Sequence, residues 1–299
     1  MRITIPAPPR FNFWATVYSH GWCALPPFNI DKEARSLHAV VPDGRGGNVS
    51  VVLMETNGKL SCNLNPGINV SADRIAGISS AVASILRLGE SFDSFYAEAN
   101  RYPQYRWVLR RRAGRLLRCP TVFEDVVKMI CTTNCSWALT EIMVDALVTK
   151  LGRRVRGEVR TFPSPEAIAA CSEAFLRKEV RCGYRAPYLL ELSRRIANGS
   201  LDIEQWRTSE SSTEELFNEV RSIKGVGEYA AGNILKLLGR YDYLGLDSWG
   251  RTRFYETFKD GRKVKDSSIA KHYAPFGQWR GLFMWMDMTK DWYTKEHPF

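Results

Sequence analysis

From about residue 121 onward, apolar residues recur at three- and four-residue steps, the spacing that lines one face of a helix. Earlier in the chain the pattern differs. SLHAVV (36–41) and NVSVVLME (48–55) have β-branched and alternating character and are separated by PDGRGG. Asn57-Gly58 then precedes KLSCNL, a turn dipeptide between two strand-like runs. This order predicts an antiparallel meander, flanked by a helix over 72–88. Pro120 and Thr121 open a helix over 122–134, and Ser136 opens another that Gly152 stops. Ser164 and Pro165 start a further helix as N-cap and first residue. Helices are also predicted over 187–197, 213–222, 229–238, 248–258 and 278–288. The expected fold class is α+β, with an antiparallel sheet domain over 1–115 packed on a mostly helical domain over 116–299. Neither an internal repeat nor a low-complexity segment is present.

Composition narrows the function classes. Of the 299 residues, 44% are hydrophobic and 25% charged, as in an ordinary globular protein. No apolar run approaches the ~20 residues of a membrane span. The opening MRITIPAPPRFNFW lacks the basic-then-apolar order of a secretion signal. An intracellular chain, in the cytoplasm or at the nucleoid and away from membranes, is therefore expected. Forty-two basic against thirty-two acidic residues give a net charge of +10. That surplus favours a polyanion partner, because each Lys or Arg on a phosphate releases condensed counterions. Arg101, Arg106, Arg110, Arg111, Arg112, Arg115 and Arg118 crowd one stretch, with Tyr102, Tyr105 and Trp107 among them. Taken alone, this stretch reads as a solvated, charged linker. The seven cysteines form no C-x-x-C pair, which argues against a disulfide framework and a zinc site. They read as small buried apolar residues.

The informative segment is 216–254. A helical run (LFNEVRSI) enters Lys224-Gly225-Val226-Gly227-Glu228, and a second helical run (YAAGNILKLLG) follows at once. Two glycines one residue apart permit a tight hairpin. The amides of that turn, at the start of the second helix, form a seat for phosphate. Val226 would anchor the turn in apolar surface. Such a turn between helices is usually only a packing element, and Asp247, alone, reads as a helix N-cap. The pairing is more specific: Leu244-Gly245-Leu246-Asp247-Ser248-Trp249 places an acid at a helix start soon after the hairpin.

With these two features the sequence resembles the helix-hairpin-helix DNA glycosylase superfamily. Further runs carry the likeness. Ile130-Cys131-Thr132-Thr133-Asn134, Phe162-Pro163-Ser164-Pro165-Glu166-Ala167, and Leu176-Arg177-Lys178 followed by Gly183-Tyr184-Arg185-Ala186-Pro187-Tyr188 are similar to the 8-oxoguanine glycosylase branch. Tyr273-Ala274-Pro275 and Trp279-Arg280 are closer to the alkyl-base (3-methyladenine) branch. The resemblance implies a TATA-binding-protein-like sheet domain beside the helical domain. It further implies a monomeric enzyme of base excision repair, which flips a damaged base from double-stranded DNA and hydrolyses its N-glycosidic bond. Asp247 would be the catalytic acid. Asn134 would enter the space left by the base, Tyr184 would wedge beside the opposite base, and Arg185 would hold a phosphate or the unpaired base. Lys224, Gly225, Val226 and Gly227 would grip the backbone, while Tyr229, Trp249 and Cys135 would line the base pocket.

The chemistry is consistent with that assignment. Breaking a glycosidic bond passes through an oxocarbenium-like sugar, whose positive charge a nearby carboxylate stabilises. A helix N-terminus favours the negative charge that Asp247 needs. Three departures from the resemblance matter. Members that also cut the strand carry a nucleophilic Lys two residues after the second hairpin glycine, where this chain has Tyr229; a phenol cannot form a Schiff base, so a monofunctional enzyme without lyase activity is expected. Leu139 replaces the Arg with which the 8-oxoguanine branch reads the orphan cytosine. No Cys follows Cys182, so the iron–sulfur cluster of some relatives is not expected. No cofactor is required, although the carbonyls of Ile223 and Val226 can hold a structural Na+ or K+ at the hairpin.

Aromatic residues make up 12% of the chain, and Trp249 lies two residues beyond Asp247. Aromatic walls suit a cationic alkylated base through cation–π attraction, so alkylated purines such as 3-methyladenine are the expected substrate. The alternatives are an 8-oxoguanine-type or mismatch glycosylase on the same scaffold, a non-catalytic lesion-binding module, and a helical protein whose hairpin merely packs.

Overall fold

The computed structural model describes residues 1–64 and 71–293, so 294–299 of the expected helical domain lie outside the described residues. The chain is α+β and divides into two compact units. The first contains Met1–Glu90 and Arg115–Glu204, the second Ser91–Gly114 and Gln205–Phe299.

The first unit is built on an antiparallel sheet. Its strands are β1 (Arg2–Ile5), β2 (Asn29–Asp31), β3 (Ser36–Pro42), β4 (Asn48–Thr56) and β5 (Lys59–Leu64), in the spatial order β1-β5-β4-β3-β2. The meander read from the sequence is β3-β4-β5, and β1 and β2 extend it at the edges. β1 alternates exposed and buried positions over only four residues, and β2 has only three residues. The register places Leu37 opposite Leu53, Leu53 opposite Cys62 and Cys62 opposite Ile3, a row of buried apolar side chains across four strands. The predicted helix runs Ala72–Ile85. It sits close to the β3–β4 turn because Gly77 meets Gly44: a Cβ on Gly77 would stand 2.7 Å from the Gly44 Cα. Asp43 organises the turn by accepting from the Arg45 and Gly47 amides at 3.0 and 2.9 Å and by pairing with Arg74 at 3.0 Å.

The N-caps expected at Thr121, Ser136 and Ser164 are all present. Each side chain accepts from the amide three residues on, opening the helices Val122–Thr132, Trp137–Leu151 and Pro165–Ala169. A short hairpin of β6 (Arg154–Arg156) and β7 (Val159–Arg160) was not anticipated. The unit's interior holds polar groups that pair with one another. Lys128 pairs with Glu124 at 2.7 Å, and Asp125 accepts from the Trp22 indole at 2.8 Å. All seven cysteines are free thiols, five buried and Cys135 and Cys171 partly so.

The arginine-rich stretch is not a solvated linker. Helix Arg106–Arg111 lies within it in the second unit, where Tyr105 and Trp107 are buried. Arg115 and Arg118 are buried in the first unit, Arg115 donating to the Arg87 carbonyl and Arg118 to the Ser84 carbonyl while pairing with Glu90 at 3.2 Å. Local sequence shows the charges but not the carboxylate and carbonyls, distant in sequence, that receive them.

The second unit is otherwise helical. Thr213–Arg221 and Glu228–Leu238 form the hairpin, followed by Ser248–Phe258, Asp266–Tyr273 and Arg280–Asp291. Within this unit the Tyr105 and Tyr273 hydroxyls both donate to Asp287 Oδ2, at 2.7 and 2.9 Å. No described helix is long and apolar enough to cross a membrane.

Candidate active site

The hairpin forms because its first helix starts and stops cleanly. Ser212 and Glu215 make a reciprocal capping box at its N-terminus. At the far end Gly225, with φ +86°, turns the chain, and the Val226 amide donates to the Ile223 carbonyl at 3.0 Å. Ile223 and Val226 are buried, so the turn is pinned by apolar contact while Lys224 and Gly227 stay exposed. The second helix begins at Gly227 without a side-chain cap, in contrast to the first. Its leading amides therefore have no capping side chain at the exposed turn, an arrangement suited to an anion.

Asp247 is attached to that second helix through a tight crossing. Leaving the helix, the chain returns along it over 240–247. There Gly232 and Gly245 approach so closely that a Cβ on Gly232 would lie 2.7 Å from the Gly245 Cα and 2.9 Å from its nitrogen. Gly245 itself has φ +65°, which disfavours any side chain. Asn233 donates to the Gly245 carbonyl at 3.4 Å, and Lys236 Nζ donates to the Leu244 carbonyl at 2.7 Å. Two residues later Asp247 caps the helix Ser248–Phe258, its Oδ1 accepting from the Gly250 amide at 2.6 Å. Asp247 is partly exposed. Arg251, one turn further on, is engaged by Asp266 through two bonds at 2.8 and 2.7 Å.

Two residues beyond the acid, Trp249 belongs to a group of three indoles. Trp249, 39% exposed, stacks near Trp292 at 5.9 Å between ring centroids and 28° between planes, and Trp285 lies 6.1 Å from Trp249. Trp292 and Lys236 escaped the sequence reading. Lys236 sits in the run LKLL, and a lysine between buried leucines was the signal that could have found it. Tyr229 is partly buried, its carbonyl accepting from Asn233 at 2.9 Å.

In the first unit, Asn134, Cys135, Tyr184 and Arg185 come together. Asn134 adopts φ +48° at the end of Val122–Thr132, and its amide donates to the Tyr184 hydroxyl at 3.4 Å. That hydroxyl in turn donates to the Thr133 carbonyl at 3.3 Å, and Tyr184 is 44% exposed. Arg185 differs from expectation. Its side chain is buried, donates to the Thr133 carbonyl and lies 4.5 Å from the Tyr184 ring, so it supports the tip rather than reaching outward. The Cys135 thiol donates to the Cys131 carbonyl at 3.1 Å. Below it the Cys131 thiol is pushed well up by its hydrogen bond to Cys182 and by burial, the mark of an unreactive pair. Among the described residues no group of three or more His, Cys, Asp or Glu side chains converges as a metal site.

The α+β architecture, with a capped hairpin followed by an acid at a helix start, is a fold shared with solved DNA glycosylases. No protein-family model matches the chain. The individual likenesses are distant and nearly full-length. A Bacillus subtilis (strain 168) protein, YfjP, provisionally assigned as a DNA-3-methyladenine glycosylase, is 23% identical over 88% of this chain and 91% of its own. The 3-methyladenine DNA glycosylase of Archaeoglobus fulgidus superposes with a TM-score of 0.76 at 19% identity, covering 99% of both chains. The 8-oxoguanine glycosylase/lyase of Clostridium acetobutylicum, in its apo form, gives 0.75 at 16% identity over 96% of this chain and 95% of that one.

Proposed function

We propose that this protein is a monofunctional DNA glycosylase that acts as a monomer on double-stranded DNA in base excision repair, everting a damaged base and hydrolysing its N-glycosidic bond. The observation that carries this reading is the crossing at Gly232 and Gly245, which ties a partly exposed carboxylate to the helix whose N-terminus forms the hairpin turn. One element then serves two tasks: the turn holds a phosphate, and the acid faces the sugar of the everted nucleotide. With Asp247 Oδ1 held by the Gly250 amide, Oδ2 is the oxygen for the oxocarbenium-like sugar and the attacking water.

The remaining assignments follow from the same chemistry. Lys224, Gly225, Val226 and Gly227 bind the DNA backbone, and the carbonyls of Ile223 and Val226 would hold a monovalent cation that neutralises phosphate charge there. The Ile223 carbonyl retains a lone pair beyond the one given to the Val226 amide, which supports this reading. Asn134 and Tyr184 fill the gap behind the base, and Tyr229, Trp249 and Cys135 line its pocket. Evicting a base costs a few kcal/mol of stacking, which such fillers offset. The sheet of the first unit is taken as a TATA-binding-protein-like module. The indoles of Trp249, Trp285 and Trp292 favour cationic alkylated purines such as 3-methyladenine over neutral oxidised ones, through cation–π attraction.

The test is base release from alkylated and oxidised duplexes side by side, with wild type and Asp247→Asn. Wild type is expected to free alkylpurines, and the Asn variant to keep DNA binding and lose most release. Excision by Asp247→Asn at the wild-type rate would overturn the mechanism, and release of 8-oxoguanine alone the substrate. Borohydride is expected to trap no adduct, because Tyr229 offers no amine; a trapped adduct would defeat the monofunctional reading.

A further inference from the structure

The second hairpin helix contains a lysine that its packing does not require. Lys236 is 2% exposed, between leucines. A methionine would fill such a place without desolvating an amine, so its cost must be met by the bonds it makes. These converge on the approach to the acid. Nζ donates to the Leu244 carbonyl at 2.7 Å, with the Gly232 carbonyl and Asn233 Oδ1 each at 3.4 Å. Gly245 makes room for it, since a Cβ there would stand 2.9 Å from Nζ.

We propose that Lys236 is the positioning residue of Asp247, a latch that fixes the 244–247 segment to the hairpin helix so that the carboxylate stands at one place relative to the turn. The proposal rests on the glycosylase reading for its catalytic consequence, though not for the latch itself. Burial pushes the amine down to about 7, and the Asp247 carboxylate acts against that fall. Both the ammonium and the neutral amine can donate to Leu244, so the latch persists on either side of neutral pH. Besides Lys236, Arg251 interacts electrostatically with that carboxylate and is itself paired with Asp266 at 2.7 Å. A lysine that merely filled space would be replaceable by methionine without consequence for catalysis.

The experiment compares wild type with Lys236→Met and Gly245→Ala in the full chain. Single-turnover base release, affinity for a duplex carrying an abasic-site analogue, and hydrogen exchange at the Gly250 amide are measured for each. Release is expected to fall about 100-fold in both variants, the scale of an ångström's displacement of a reacting group, while affinity is unchanged. Gly250 exchange is expected to quicken, because the Asp247 cap loosens. Unchanged exchange and release in Lys236→Met would overturn the latch, as would equal losses of affinity and rate. A borohydride-trapped adduct that disappears in Lys236→Met would overturn it in favour of a nucleophilic amine. Should wild type release no base while Gly250 exchange still quickens in the variants, the latch stands and the glycosylase reading falls.

Discussion

Gly232 and Gly245 touch backbone to backbone, so the helix that starts at the hairpin and the segment that ends at Asp247 are joined without an intervening side chain. Replacing a helical glycine by alanine ordinarily stabilises a helix by about 0.5–1 kcal/mol. At Gly232 the sign should reverse. The new Cβ would overlap the Gly245 Cα, and relieving such overpacking costs about 1–3 kcal/mol. Gly232→Ala is therefore expected to lower the urea midpoint and to slow base release, because separating the crossing moves Asp247. A variant more stable than wild type would show that the two backbones are free to part.

The Asp287 carboxyl is expected to make the stability of the second unit fall with rising pH. Burial lifts it to about 6, against the opposing hydrogen bonds from Tyr105 and Tyr273. Its folded value thus lies above the ordinary value of 3.8 that the unfolded chain has. Between about 4 and about 6 the folded state holds the proton more tightly, so Asp287's contribution is complete below this window and is lost as pH rises through it. Asp287→Asn keeps an acceptor for the hydroxyls and does not titrate. Thermal midpoints of the two proteins across pH 4 to 7 provide the check. The difference should move in favour of the Asn variant as pH rises, and a constant difference would refute the assignment.

How far the fold could be read from sequence depended on the range of the interactions. The β3-β4-β5 meander and the caps at Thr121, Ser136 and Ser164 rest on neighbours a few residues apart, and the sequence pattern contains them. The hairpin and Asp247 were legible for the same reason, since the glycines and the cap are local signals. Arg118 was misread because its partner Glu90 lies in another segment, and β1 was not read at all because it gains its place from pairing with β5. The partner of Lys236 was hidden for a related reason, although the lysine itself stands out among leucines. Its partner Leu244 is eight residues away, across a chain reversal that depends on the contact of Gly232 with Gly245.

The tip of the first unit offers a test in which binding separates from stability. Tyr184 is exposed, and Asn134 reaches its hydroxyl from a left-handed backbone position, so neither side chain is needed for a packed core. Tyr184→Ala is expected to weaken binding to a lesion-bearing duplex by about 1–3 kcal/mol, the value of one aromatic–base stack, with the melting temperature unmoved. Asn134→Gly preserves the positive φ while removing the amide, and should slow excision without unfolding the tip. Arg185→Met should do the reverse. Its guanidinium is buried against the Thr133 carbonyl and the Tyr184 ring, so its loss lowers stability first and binding only through the disordered tip. Calorimetric melting and duplex titration on the three variants distinguish these patterns. If Tyr184→Ala bound as tightly as wild type, this tip would have no part in holding the opened duplex.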